Sequence, residues 1–204
     1  MVFLCHQQEN TLFGDVLILS VRRSEGAPLV TVLSHNVIYP MKPIKPQLGQ
    51  ESVWDYPRPP RLELSSKTIK IICAGQILVT SSRAFRVLET SHPPSYYIPP
   101  EDINLNMLRQ NSRSSYCEFK GEAAYYDLAT GQRDVGWFYP VPTRGYADMA
   151  SCVAFYPSRV TLQAGDGCFV DDELVIAQAG NFYGGWITNN IVGPFKGELG
   201  TQGW

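Results

Sequence analysis

The chain has 204 residues, 44% of them hydrophobic and 18% charged, which is enough for one core and an accessory segment. Its 17 basic and 19 acidic side chains give a formal charge of −2, which argues against nucleic acid as a partner. The 15 prolines, 17 glycines and 12% aromatic residues favour short strands and turns and argue against a helical bundle.

The first 50 residues look like a lead-in segment rather than a domain. Two β-like runs, residues 16–21 and 29–33, could pair as a hairpin. After them, prolines at positions 40, 43 and 46 keep the chain extended. Because a lone hairpin is marginal without a surface to cover it, we place the start of the domain at residue 51.

Residues 51–180 carry the signals of the core. Two hairpins are predicted where short apolar runs flank turn residues, one over 68–80 and one over 122–139. Further short strands are expected at 152–156, 160–164, 168–170 and 174–177, and small helical pieces at 82–88, 101–108 and 146–151. Evenly spaced short strands predict an all-β domain, built as an antiparallel sandwich or half-open barrel.

Residues 181–204 form a tail that is rich in glycine and aromatic residues and has no helical or alternating period. Disordered tails are poor in aromatic residues, so we expect this one to dock on the domain or on a second copy of it. A homodimer is therefore one possible assembly. A tail that seats a partner around Trp186 and Trp204 would instead make the protein an assembly or scaffold factor.

The spacing of cysteine and histidine offers no nucleus for a metal site. The five cysteines include no C-x-x-C pair, and none of the three histidines stands at a ligand spacing from another ligand. We expect no metal, no cofactor and reduced thiols. The sequence has no apolar run near the roughly 20 residues of a membrane span and no basic lead of a secretory signal, which predicts a cytoplasmic protein without a membrane partner.

Several ordered motifs resemble the domain of unknown function family 427. They read ESVWDYPRPPR at 51–61, RVLETSHPPSYYIP at 86–99, CEFKGEAAYYD at 117–127, WFYP at 137–140 and VAFY at 153–156. The resemblance implies a β-tent fold, in which two antiparallel sheets meet at an angle. This fold is shared with the ligand-binding domain of cereblon and with methionine sulfoxide reductase B. Relatives often carry zinc on two C-x-x-C pairs, which this sequence lacks.

The resemblance also bears on where the working protein begins and on its lineage. Family members commonly begin a few residues before the first of these motifs, and Met41 lies at such a place. We therefore expect that residues 1–40 come from an upstream start. The Gly-Gly-Trp segment of the tail looks like the cyanobacterial branch of the family.

The family has been grouped with nucleotidyltransferases, a chemistry that these residues do not support. Nucleotidyl transfer needs carboxylates that hold Mg²⁺ and a cradle for the phosphates. The one dense acidic cluster, Asp171-Asp172-Glu173, stands where a hairpin turn is expected, and the sequence has no Walker loop.

An aromatic pocket is the leading functional hypothesis. Strand alternation places Tyr125 and Tyr126 on opposite faces and Trp137 and Tyr139 on the same face, so one set is core and the other can line a concave sheet. Flat rings with a few polar groups suit a small planar or cationic ligand. We predict that a small molecule or a protein contacts Trp137, Tyr139, Tyr97, Tyr125, Tyr156, Lys120 and Glu89.

An enzymatic alternative stays open. Cys117 could act as a nucleophile, with His92 and Glu89 approaching it in space. Glu89 could also act as a base while Lys120 steadies negative charge. Either arrangement would make the protein an enzyme that acts on a small substrate.

Overall fold

The computed structural model of the protein describes residues 42–180, 182–198, 200 and 201 with their side chains, together with the backbone of three strands within residues 1–40. By its internal contacts the chain divides into two compact units, residues 1–40 and 41–204. The first unit contains an antiparallel sheet of β1 (Glu9–Phe13), β2 (Val16–Val21) and β3 (Leu29–Val32). The predicted pairing of the runs 16–21 and 29–33 is observed as β2 with β3.

The second unit is built from short strands. These are β4 (Glu51–Ser52), β5 (Arg61–Leu64), β6 (Ile69–Cys73), β7 (Gln76–Ser81), β8 (Phe85–Glu89), β9 (His92–Ile98), β10 (Leu108–Cys117), β11 (Gly121–Leu128), β12 (Gly136–Phe138), β13 (Val153–Phe155), β14 (Gly167–Val170), β15 (Glu173–Leu174), β16 (Ile176–Ala177), β17 (Trp186–Ile187) and β18 (Ile191–Val192).

Among the described residues of the second unit, helix is confined to small pieces. They are α1 (Pro157–Val160) and the 3₁₀ segments Val53–Asp55, Pro100–Asp102, Leu105–Met107 and Arg144–Met149. No helix in the part of the chain that the structure describes is long and apolar enough to cross a membrane. The prediction of an all-β fold with small helical pieces is confirmed.

Two antiparallel sheets dominate this unit. The larger has seven strands in the order β10-β11-β12-β13-β9-β8-β5, and the smaller has four in the order β15-β14-β6-β7. Both predicted hairpins are present, as β6 with β7 and as β11 with β12. Two further pairs, β16 with β17 and the parallel pair β4 with β18, connect the last part of the chain to earlier segments.

The seven-stranded sheet carries apolar side chains on both faces. On β12, Phe138 belongs to a core cluster that includes Ile71 and Val79 of the four-stranded sheet, whereas its neighbour Trp137 belongs to a second cluster. Tyr96 and Tyr97 on β9 divide in the same way. Successive side chains on a strand point to opposite faces, so one cluster lies between the sheets and the other forms a separate aromatic face. The predicted alternation is therefore confirmed.

The tail contributes to the core between the sheets. Trp186 has no exposed surface and packs in the same cluster as Phe138. Its indole Nε1 donates a hydrogen bond to the carbonyl of Phe155 at 3.1 Å. Since Trp186 is enclosed by its own chain, a partner-binding tail would need other residues, and Trp204 lies outside the described part of the chain.

Two of the predicted elements are wrong. Residues 82–88 were expected to be helical, but β8 runs through Phe85–Glu89 and pairs with both β5 and β9. Residues 160–164 were expected to form a strand, but the helical turn α1 ends at Val160 and a loop follows. Pro157 begins this turn and its carbonyl accepts the hydroxyl of Thr161, which favours a turn over an extended chain.

Three other predictions need finer bounds. The single helix expected at 101–108 is two 3₁₀ turns separated by Ile103 and Asn104. The backbone of Ile103 is extended and bridges to Val79. The helix expected at 146–151 is the 3₁₀ segment Arg144–Met149. The strand expected at 174–177 is divided between β15 and β16, because the two halves pair with different strands.

Candidate ligand-binding site

A cavity of about 350 Å³ opens on the aromatic face of the seven-stranded sheet. Every residue that the sequence suggested for ligand binding or catalysis lines it. These residues are Glu89, His92, Tyr97, Cys117, Lys120, Tyr125, Trp137, Tyr139 and Tyr156. The cavity wall also includes Arg58, Gln178, Tyr183, Gly184 and Lys196.

The floor of the cavity is a set of rings locked against each other. Trp137 packs on Tyr156 with ring centroids 4.4 Å apart and meets Tyr97 edge-on at 6.0 Å. Its indole Nε1 donates a hydrogen bond to the hydroxyl of Tyr97 at 3.0 Å. The hydroxyl of Tyr125 shares a hydrogen bond of 2.7 Å with that of Ser115. Trp137 is only 8% exposed, so a ligand would meet the edge of a rigid, closely packed surface.

The phenols of this floor are poor bases. Burial raises the pKa of Tyr97 above its usual value, although the hydrogen bond from Trp137 acts in the opposite direction. Burial also raises the pKa of Tyr139, and the neighbouring Tyr97 and Cys117 add to the increase. Both rings are therefore neutral near pH 7, where their hydroxyls can give or accept hydrogen bonds but carry no charge.

One side of the cavity carries an ion-paired arginine. Arg58 donates hydrogen bonds to Glu89 at 2.8 Å and to Glu118 at 2.9 Å, and its guanidinium stands 5.2 Å from the ring centroid of Phe119. The pairs are partly exposed, with half of the Arg58 side chain in contact with solvent. Glu89 is therefore engaged in an ion pair rather than positioned as a free base.

Lys120 differs from Arg58 in its surroundings. It lies in the tight turn between β10 and β11, where its carbonyl accepts the backbone N–H of Thr143 at 3.1 Å. The residue is only 7% exposed. Its ammonium lies 5.9 Å from the ring centroid of Tyr146, and no ion pair or side-chain hydrogen bond joins it to any residue that the structure describes.

His92 is neutral and is held by Gln178 and by Tyr183 of the tail. Its Nδ1 accepts a hydrogen bond from the side-chain amide of Gln178 at 3.0 Å, and its ring lies 5.0 Å from that of Tyr183. Burial lowers the pKa of His92 to about 4, with the positive charge of Lys196 adding to the effect. An imidazole whose Nδ1 accepts in this way carries its proton on Nε2.

The candidate catalytic residues share the cavity without forming a catalytic pair. Cys117 is partly exposed and lines the same wall as His92 and Glu89. Within the described residues, however, no hydrogen bond joins Cys117 to either of them. The amide of Gln178 is hydrogen-bonded to Nδ1 of His92, and Arg58 is ion-paired with the carboxylate of Glu89. The geometry therefore brings these groups into one cavity but does not join them by hydrogen bonds into a nucleophile and base.

The Gly-Gly-Trp segment closes one side of the cavity. A Cβ atom on Gly184 would overlap the ring of Trp137, and one on Gly185 would lie 2.9 Å from the carbonyl of Pro93. The backbone N–H of Gly185 donates to the side chain of Gln178 at 3.1 Å. Two glycines are needed here because the tail passes directly over the aromatic floor before Trp186 enters the core.

Sequence reasoning missed the residues that reach the cavity from outside its sheet. Arg58 comes from a proline-rich segment and Lys196 from the tail, and neither stands in a pattern that predicts its position. Gln178 is a buried amide that joins His92, Gly185 and the carbonyl of Lys196. Only the adjacent glycines at 184 and 185 offered a signal, since paired glycines indicate close backbone approach.

The acidic cluster at 171–173 forms a hairpin turn and the first residue of β15, as part of the fold. No group of three or more His, Cys, Asp or Glu side chains in the ranges 42–180 and 182–198 is arranged to hold a metal ion. Asp171 and Asp172 form the turn between β14 and β15 that the sequence predicted for this cluster. Both residues have a positive φ. Asp171 accepts the backbone N–H of Thr68 and the ammonium of Lys67.

Comparison with known families identifies the part of the chain that carries the cavity floor. A family model described as a domain of unknown function (DUF427) matches residues 61–166, just over half of the chain. This range contains every strand of the seven-stranded sheet, whereas Arg58 and the tail wall lie outside it. No curated protein matches the chain. The chain belongs to the DUF427 family.

Proposed function

We propose that the protein binds a small molecule in the cavity on its aromatic face and does not itself transform it. The observation that supports this proposal is the cavity itself, about 350 Å³ in volume, with an aromatic floor and a few charged groups on its wall. Ligand sites typically have volumes of about 300–1,000 Å³ and this mixture of apolar lining and few polar groups.

The state of the polar groups favours binding over catalysis. A general base works best with a pKa near the operating pH, but the pKa of His92 is about 4 and those of Tyr97 and Tyr139 are raised. Glu89 is held by Arg58. Groups in these states can orient a ligand through hydrogen bonds and charge without moving a proton.

We also propose that binding takes place in the cytoplasm. The described cysteines Cys73, Cys117, Cys152 and Cys168 are all free thiols, which fits a reducing compartment.

Thermal unfolding across a metabolite library tests the proposal. A ligand at a concentration of 100 times its Kd stabilises the folded state by about 2.7 kcal/mol, which raises the Tm of a domain of this size by roughly 5–10 °C. Trp137→Phe alters the floor and removes its indole N–H, so hits should lose most of their shift in this variant. Trp54→Phe is the matched control, since Trp54 also donates an indole hydrogen bond, to Pro194 at 2.8 Å, but does not line the cavity.

Two results would contradict the proposal. A hit that raises the Tm of Trp137→Phe as much as the Tm of the wild type binds elsewhere. A library in which no compound raises the Tm leaves the cavity without a ligand. Cys117→Ala and Glu89→Gln separate binding from catalysis. If a hit is consumed by the wild type and not by either variant, the enzymatic alternative holds; if binding persists in both and no product forms, the binding function holds.

A further inference from the structure

Lys120 is the cation within the described residues whose environment is least explained by the fold. Only 7% of the residue's surface is exposed, yet no carboxylate described in the structure pairs with its ammonium. A largely buried lysine without an acidic partner is uncommon, because such side chains normally pair or lie at functional sites. The aromatic ring of Tyr146, 5.9 Å from the ammonium, is only a weak partner for it.

The other charges of the cavity wall do not supply the missing anion. Glu89 and Glu118 both face the guanidinium of Arg58, at 2.8 and 2.9 Å. No buried side-chain nitrogen of the described residues is both sealed from solvent and without a hydrogen bond, so the ammonium of Lys120 must retain some contact with solvent. Since Lys120 lines the cavity, that contact is most simply made through the cavity.

We propose that the ligand of this cavity carries an anionic group, a carboxylate or a phosphate, that pairs with the ammonium of Lys120, while its flat apolar part lies against Trp137. This inference rests on the proposed function and names the chemical class of its ligand. The aromatic floor and Lys120 line the same cavity, so one molecule of metabolite size can reach both. Arg58 is a poorer anchor because two carboxylates already hold it.

Three small probes separate the contribution of charge from that of the ring. Benzoate and benzamide have nearly the same shape but differ in charge, and phenyl phosphate tests the alternative anion. Their affinities are measured at constant ionic strength by following the indole N–H signal of Trp137 in ¹H–¹⁵N spectra, assigned with Trp137→Phe. We expect at least one of the two anions to bind at least about tenfold more tightly than benzamide, because a charge-assisted hydrogen bond contributes at least that factor.

Substitution of Lys120 tests the pairing itself. Lys120→Met should reduce the affinity for the better anion to about that of benzamide and leave benzamide unchanged, whereas Lys120→Arg should keep most of the preference. Lys70→Met is the control, since Lys70 lies on β6 outside the cavity lining.

The outcomes distinguish this inference from the proposed function. If benzamide binds as tightly as both anions, or if Lys120→Met leaves the preference for the better anion unchanged, the cavity binds ligands but the anionic class is wrong. If no probe perturbs the Trp137 signal, the binding function and the anionic class fall together.

Discussion

Gly184→Ala is predicted to destabilise the protein through a single contact between the tail and the cavity floor. A Cβ atom at this position would overlap Cη2 of Trp137 and lie 2.6 Å from Cζ3 of the same ring. The ring cannot move away freely, because its Nε1 is hydrogen-bonded to Tyr97 and the ring packs on Tyr156 with centroids 4.4 Å apart. Either the tail must lift or the ring must leave its position.

The expected cost follows from overpacking in a closely packed region. An added methyl group that forces such a shift typically costs about 1–3 kcal/mol. For a domain of about 150–250 residues, each kcal/mol lowers the Tm by about 2–4 °C, so Gly184→Ala should lower it by between about 2 and 12 °C.

Thermal unfolding of four variants, three single and one double, measures this cost against matched controls. Gly145→Ala is the control, since a Cβ there meets no atom within 4 Å and the residue does not need a positive φ. Its Tm should stay within about 1 °C of the wild type. Trp137→Phe removes the ring atoms that the new methyl group would strike, so Gly184→Ala should cost clearly less in that background.

Two observations would refute this reasoning. One is a Gly184→Ala variant as stable as Gly145→Ala, which would mean that the tail does not press against the floor. The other is an equal cost of Gly184→Ala with and without the indole of Trp137, which would place the strain elsewhere.

Three further predictions concern stability and thiol access. Burial acts to raise the pKa of Asp166, but hydrogen bonds from four backbone N–H groups outweigh burial and hold the pKa below its usual value. The ionised carboxylate therefore stabilises the fold at neutral pH. This stabilisation is lost as the pH falls below about 4. Asp166→Asn should therefore cost at least about 2 kcal/mol at pH 7 and much less at pH 3 in urea titrations, and a pH-independent cost would contradict this. Trp186→Ala should cost about 3–5 kcal/mol in the same titrations, since Trp186 is fully buried, and a cost below 1 kcal/mol would show that the tail is not part of the core. In a Cys5→Ser background, iodoacetamide should modify Cys117 first, because Cys117 alone among the described thiols is partly exposed. Peptide mass mapping follows the reaction. Faster modification of any other thiol would overturn this prediction.

The aromatic face could be predicted from the sequence because strand alternation is a local property. Once WFYP was assigned to a strand, Trp137 and Tyr139 had to share a face, and the structure places both in the second cluster. The neighbouring Phe138 falls in the core between the sheets. The same period of two separated Tyr96 from Tyr97.

Two elements could not be assigned from local pattern alone. Ala84, Val87 and Leu88 repeat with the spacing of a helix, but the segment is a buried strand with neighbours on both sides, and short apolar runs do not distinguish the two. β10 is a strand that the sequence did not reveal at all. It is a long edge strand with a largely polar, exposed sequence, so it lacks the apolar pattern by which strands are recognised.

The walls of the cavity depend on contacts between distant segments. Arg58 meets Glu89 and Glu118, and Gln178 meets His92, through pairings that no local sequence pattern encodes. The sequence could therefore predict the rings of the floor and the candidate Lys120, but not that Lys120 would be buried without a carboxylate.

A crystallographic screen with aromatic fragments would locate the binding site without knowledge of the natural ligand. We expect fragments to occupy the cavity with a ring against Trp137, and acidic fragments to place their charged group beside Lys120. Fragments found only at other surfaces, with water alone filling the cavity, would contradict this expectation.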